Sequence, residues 1–170
     1  MMSDIDLIIT QLKKNKTVFA GLLIDLSIKE CIWKYNPKKW CLLEVICHLV
    51  DEEIEDFRTR VKTTLETPCV LPPPIDSVGW VKQRNYIDQN FQRKVKEFLT
   101  ERTKSIAWLL TLENPKWNNS YHHQKSGTLS AHLFLSNWLA HDYLHIRQIL
   151  NIKFEYLKHI SGQKKNYAGI

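Results

Sequence analysis

Apolar residues recur at helical spacing in four stretches of this chain, and nowhere is there a convincing alternation with the period of two that marks a strand. The first stretch predicts a helix from about Asp4 to Leu26, with Ile5, Ile8, Ile9, Leu12, Phe19, Leu22, Leu23 and Leu26 as its buried stripe. Ser3 and Asp6 at its start offer a capping box. The second predicts a helix from about Leu42 to Leu65 that turns Val45, Leu49, Phe57 and Val61 inward. Asn36-Pro37 is one way to open it. Cys41 is the preferred cap, because Glu44 then takes the third helical position, where a carboxylate suits the positive end of the helix dipole. The third runs from about Lys82 to Leu112 and buries Tyr86, Phe91, Val95, Phe98, Leu99, Ile106, Leu109 and Leu110. The fourth starts near Thr128, after Gly127, and reaches about Tyr156, with Phe134, Leu135, Trp138, Ile149 and Ile152 inside.

Between the second and third stretches lies a polar segment, Glu66 to Val81, containing Pro68 and Pro72-Pro73-Pro74. At about 3.1 Å per residue in polyproline geometry it reaches roughly 50 Å. A helix of about 24 residues is only about 36 Å long. The segment therefore spans a whole bundle and lets the second and third helices run parallel. The expected architecture is all-α: a four-helix bundle with one long crossover between helices two and three. It occupies one domain, residues 1–156, followed by a C-terminal tail, 157–170.

Composition changes this picture little. Of the residues 44% are hydrophobic and 25% charged, with five glycines, an ordinary soluble and helix-leaning balance. No apolar run approaches the roughly 20 residues of a membrane span, and the acidic start carries no signal-peptide pattern. A cytoplasmic location is expected. Four cysteines (Cys31, Cys41, Cys47, Cys69) at no zinc or disulfide spacing read as free thiols in a reducing compartment. Cys41, at a helix start, is a place where a thiol pKa is depressed. The net charge of +6 comes from scattered lysines, from Lys13 to Lys165, rather than from one concentrated stripe. It reads as a solvated surface more than as a nucleic-acid footprint.

The chemistry lies in the histidines. His141 and His145 are four residues apart, so on a helix they stand one turn above each other on one face. With Phe134 at zero and 100° per residue, His141 falls at about −20° and His145 at about 20°, in the middle of the apolar stripe. Gln148 follows at about −40°, on the edge of that face, while Asp142 at about 80° points away toward a surface or helix–helix salt bridge. On the second helix His48 lies one turn after Val45 and one turn before Glu52 and also looks inward. Two imidazoles packed in a core leave donors and acceptors to satisfy. They are either core residues bonded to their neighbours or ligands of one metal ion, which a third His on another helix would complete with a position left open.

The segments Lys39 to Glu53, Arg84-Asn85-Tyr86, Gly127-Thr128-Leu129 and Trp138 to Ile149, in this order and spacing, resemble the DinB family of four-helix-bundle domains. The resemblance runs from about Ile5 to Leu150. Cys41 departs from it, since the family commonly has a small hydroxyl residue at that cap. The resemblance implies an up-down-down-up bundle and, on the positions that match, a divalent metal held by His48, His141 and His145. It also implies a small-molecule enzyme, first a transferase or isomerase that uses a low-molecular-weight thiol and second a hydrolase, and often a homodimer. For a dimer the exposed aromatics Trp33 and Trp117 are candidates.

Neutral imidazoles suit Zn²⁺, Ni²⁺, Fe²⁺ or Cu²⁺, with zinc or nickel expected and iron or manganese as further choices. Such an ion lowers the pKa of a bound water to about 7 or holds a thiol as thiolate. Glu52 is the candidate catalytic carboxylate: it orients His48, serves as general base, or simply faces solvent. Tyr86 lines the pocket or packs in the core, and His122 and His123 lie in the loop before the fourth helix. The competing reading is a non-catalytic interaction or DNA-damage-related binding module in which the metal is structural. No phosphate-cradling loop, nucleotide fingerprint or sugar-type carboxylate pair names a substrate.

Overall fold

Ser3 opens the first helix as its pattern predicts. Its hydroxyl accepts the Asp6 N–H at 3.1 Å while its own N–H donates to the Asp6 carboxylate. The computed structural model describes residues 3–68 and 70–162. In it α1 runs Asp4–Leu23 and ends short of Leu26, where Asp25 takes a positive φ of 55°. A short helix, α2 (Ile28–Ile32), follows under a Ser27 cap.

The second long helix is continuous but not uniform. It begins as α3 (Leu42–Asp51), with the Cys41 N–H donating to Glu44 Oε2 at 2.8 Å. It passes through a π-helical stretch, Glu52–Arg58, and ends as α4 (Thr59–Glu66). The wide stretch has a packing reason. At 100° per residue Val61 would stand about 160° from Val45, on the wrong side of the helix. One inserted residue in the turn takes back about 100°, so Val45, Leu49, Phe57 and Val61 are all buried.

The third helix starts later than expected. Residues from Lys82 form only the end of a short helix, α5 (Trp80–Gln83), and a 3₁₀ turn, Tyr86–Asp88, separated by Asn85 at a positive φ of 49°. Asn90 then caps the long helix α6 (Phe91–Thr111) by accepting the Arg93 N–H at 2.9 Å. Tyr86 is buried as expected, but Leu110 faces solvent. The absence of strands is also corrected. β1 (Ser120–His123) and β2 (Gly127–Ser130) form an antiparallel hairpin, too short for alternation to show in sequence. Thr128 pairs with His122 in that hairpin, so the fourth helix, α7 (Ala131–Ser161), begins after it under a Ser130 cap. It runs past Tyr156 to Ser161, and Gly162 at φ 59° ends it. The tail expected over 157–170 extends, at residues 163–170, outside the described residues, as does Cys69.

Pairwise contacts give the topology. Asp4 meets His132 and Asn15 meets Asp142, so α1 and α7 run parallel. Glu53 meets Arg102 and Arg58 meets Ser105, so the second and third long helices run parallel too. Phe19 packs on Phe98 and Lys16 on Thr103, and His48 on His141 and Phe57 on Trp138, which makes both cross pairs antiparallel. This is the up-down-down-up bundle, with residues 67–79 making the crossover. No helix is long and apolar enough to cross a membrane. Trp33 and Trp117 are partly buried rather than exposed; Trp33 packs on Tyr156 and Trp117 against the Trp138 cluster. Cys31, Cys41 and Cys47 are free and buried.

Two apolar clusters, one around Phe19 and Phe98 and one around Leu12 and Trp138, are separated by a buried polar layer. At its centre the Arg102 guanidinium binds Asp142 through two parallel bonds of 2.7 Å and Glu53 through Nε at 2.9 Å. Asn15 adds a bond to Asp142 at 3.1 Å, and Trp138 Nε1–H donates to Glu53 at 2.9 Å. All four long helices meet there. Arg102 and its two carboxylates are at most 1% exposed.

Removing one partner of such a buried network leaves charges uncompensated, at a cost of about 3–5 kcal/mol. Arg102→Leu is therefore expected to lose about that much stability in urea unfolding. A loss below about 1 kcal/mol would show that the network contributes little.

Candidate metal centre

The residues that carry the candidate chemistry come from two helices. His48 sits on the last turn of α3, and His141 and His145 on successive turns of α7. The antiparallel pairing of these helices brings His48 Nε2 to 3.3 Å from His141 Nε2, which is itself 3.0 Å from His145 Nε2. The three ligand atoms lie within 4.8 Å of one another.

This spacing fits a metal ion. Nitrogens at about 2.0–2.1 Å from a tetrahedral centre stand roughly 3.3 Å apart. The donor arithmetic agrees. His145 Nδ1 is 2.7 Å from Gln148 Oε1, an acceptor, so the proton of that ring belongs on Nδ1 and Nε2 presents a lone pair. A single Nε2 proton on His141 cannot serve both neighbouring nitrogens, whereas one cation serves all three. The Nδ1 of His48 is buried with no hydrogen-bond partner, and Glu52 Oε1 lies 3.9 Å from it.

The surroundings keep the rings neutral, as ligands must be. Burial first, then the neighbouring His145, pushes His48 down to about 3. Burial and the other two rings push His141 down to about 2, and His145 is lowered by burial as well. The Trp40 indole lies over His48 with ring centroids 4.8 Å apart, and Phe57 flanks His141 at 4.9 Å.

Glu52 does not face solvent. It stands at the start of the π-helical stretch, 4% exposed. Burial, then the Asp56 carboxylate with which it shares a hydrogen bond, raises its pKa to about 8, while Ser77 from the crossover pulls the other way. Asp56 in turn is paired with Arg60. A buried carboxyl with a raised pKa thus stands beside His48.

The other expectations resolve plainly. Asp142 points away from the imidazoles, as the helical wheel requires, into the buried pair with Arg102. The Tyr86 hydroxyl donates to Asp51 at 2.5 Å rather than facing the triad. His122 and His123 belong to β1 and line a separate cavity with Leu71. Burial raises the Cys41 thiol to about 11, the opposite of the depression a helix start suggests. Sequence reasoning missed Arg102 and the Glu52–Asp56 pair. Arg102 had a signal, a charged residue four from both Phe98 and Ile106 in the middle of an apolar stripe. The carboxyl pair had one too, since Glu52 and Asp56 are four apart and share a helix face just as His141 and His145 do.

A family model described as the DinB superfamily matches residues 11–149. None of the curated proteins matches the sequence. Among solved structures, YfiT from Bacillus subtilis superposes with a TM-score of 0.78 at 16% identity, over 96% of this chain and 92% of that one. It is described as "a probable metal-dependent hydrolase with an unusual four-helix bundle topology". At that identity the likeness concerns the fold.

The depressed imidazoles fix a pH dependence for the protein treated with chelator. Below about 6.5 the unfolded chain binds protons at these histidines while the folded rings stay neutral, so stability falls as pH drops. Each ring contributes a slope of about 1.4 kcal/mol per pH unit until its folded pKa is reached. Urea unfolding between pH 7 and pH 4 is expected to show this loss, and His48→Gln to remove one ring's share. A slope unchanged in that variant would contradict the buried, neutral assignment.

Proposed function

The chain belongs to the DinB superfamily, and on that footing we propose that it is a metal-dependent enzyme that hydrolyses a small molecule. In this reading His48, His141 and His145 hold a divalent ion, zinc or nickel by the chemistry of their nitrogens, and Glu52 moves the proton. The single observation that carries it is the convergence of three buried imidazoles, their nitrogens within 4.8 Å of one another, with the buried Glu52 carboxyl 3.9 Å from His48. An ion held by three protein nitrogens keeps a place for water or substrate oxygen, lowers the pKa of what it holds and polarises a carbonyl or phosphoryl group.

The chain's own residues have distinct tasks. Gln148 holds the His145 ring by its Nδ1–H and so aims Nε2. Trp40 and Phe57 wall off the rings, keeping the dielectric low. Glu52 carries a proton that a leaving group needs, and Asp56 keeps that proton in place. A cation held by His48, His141 and His145 would lower the Glu52 pKa, toward the range in which a carboxyl both gives and takes protons near neutral pH. This carboxyl favours hydrolysis over thiol transfer, since a thiolate attacks without a general base. The description of YfiT as a metal-dependent hydrolase supports the same choice.

Untagged protein purified without a nickel column is expected to carry about one equivalent of divalent metal by elemental analysis, and His141→Ala to lose it. In a screen of small esters, amides and phosphoesters, Glu52→Gln should keep the metal while activity falls about 10²-fold or more. Metal-free native protein would contradict the triad, and a fully active Glu52→Gln would contradict the proton role.

A further inference from the structure

Resting on that reading of the triad, we propose that the substrate carries an anionic oxygen group, a carboxylate or a phosphate, and that Lys39 and Arg147 receive it in the cavity that Trp40 and Gln148 separate from the imidazoles. A cavity of about 300 Å³ opens between the start of α3 and the middle of α7. Two of its walls are the residues that touch the candidate ligands. Trp40 lines it and lies over His48; Gln148 lines it and holds His145. A molecule in this cavity is therefore one side chain away from two of the three rings. Leu144 and Ile152 supply apolar surface.

The charges around the cavity are one-sided. Lys39 and Arg147 are the charged residues that line it, and no acid does. Neighbouring lysines are neutralised: Lys34 pairs with Glu44 at 2.7 Å and Lys153 with Glu30 at 3.2 Å. Neither Lys39 nor Arg147 has an acidic partner among the described residues. A planar guanidinium with free N–H groups is suited to a carboxylate or phosphate, which it grips through two parallel bonds, and a lysine ammonium adds a point charge. The volume lies at the small end of the roughly 300–1,000 Å³ usual for ligand sites, and the indole offers a flat apolar face. The cavity thus suits a small molecule with one anionic end and an apolar or aromatic body.

Elsewhere the basic groove between α1 and α6 carries no such argument. Its Lys16 and Lys104 are bonded to Thr103 and Glu101, and none of its lining residues touches an imidazole.

The test titrates zinc-loaded, full-length protein with phenylacetate and phenyl phosphate, using phenylacetamide as the neutral match, by calorimetry and by the indole N–H resonance of Trp40. The anionic probes are expected to bind at least tenfold tighter than the amide, with a shift of the Trp40 signal, and the tighter of the two identifies the group. The Lys39→Gln/Arg147→Gln double variant should lose at least tenfold in affinity for the anions with its zinc content unchanged. Equal binding of acid and amide, no binding of either anion, or full anion affinity in the double variant would overturn the proposal. The last result would place the anion on the metal instead. Zinc content measured on the same samples reports separately on the metal reading, and the Arg147→Lys variant, which keeps the charge, should recover part of the loss if an anion is received there.

Discussion

Arg102 is the group on which the rest of this bundle depends. Its guanidinium, wholly out of water, is bonded to Glu53 on the second long helix and Asp142 on the fourth, with Asn15 on the first bonded to the same Asp142. A buried cation between two buried carboxylates tolerates little sliding, because any displacement leaves a charge in low dielectric without its partner. Apolar clusters on either side would pack in more than one register; the charges admit one. That register matters because Glu53 lies five residues beyond His48 and Asp142 directly follows His141. The network that aligns helices two and four is thereby the device that brings His48 Nε2 within 3.3 Å of His141 Nε2.

The polar layer and the candidate site are thus one construction seen from two sides. On one side, ions are matched so completely that they are structural. On the other, the histidines are left with lone pairs converging and one Nδ1 unpartnered, and burial and the Asp56 carboxylate raise the pKa of Glu52. Residues that differ by one position along the same helix turn, Glu52 and Glu53, divide these two tasks. The π-helical stretch that begins at Glu52 lets the helix present both carboxylates to the interior and still return Phe57 and Val61 to the core.

Much of this was legible in the sequence. The long apolar stripes gave the four helices, the proline-rich crossover gave the parallel pairing, and the Ser3–Asp6 and Cys41–Glu44 pairs gave two helix starts. The angular positions of His141 and His145 on α7 were right because that helix is regular across them. The failures fall where local geometry departs from regular. Asn85 in the left-handed region delays the third helix, and the hairpin before α7 is too short to show a period. Cys41 shows a different limit: its position suggested a lowered pKa, and burial, visible only in three dimensions, reversed the sign.

The most direct measurement is X-ray absorption at the zinc edge of the loaded protein. Three imidazole nitrogens at about 2.0–2.1 Å, with a lighter-atom ligand in the remaining place, are the expected first shell. Fewer than three imidazole nitrogens around the zinc, or a solvated ion without imidazole features, would contradict the claim that His48, His141 and His145 together grip one cation.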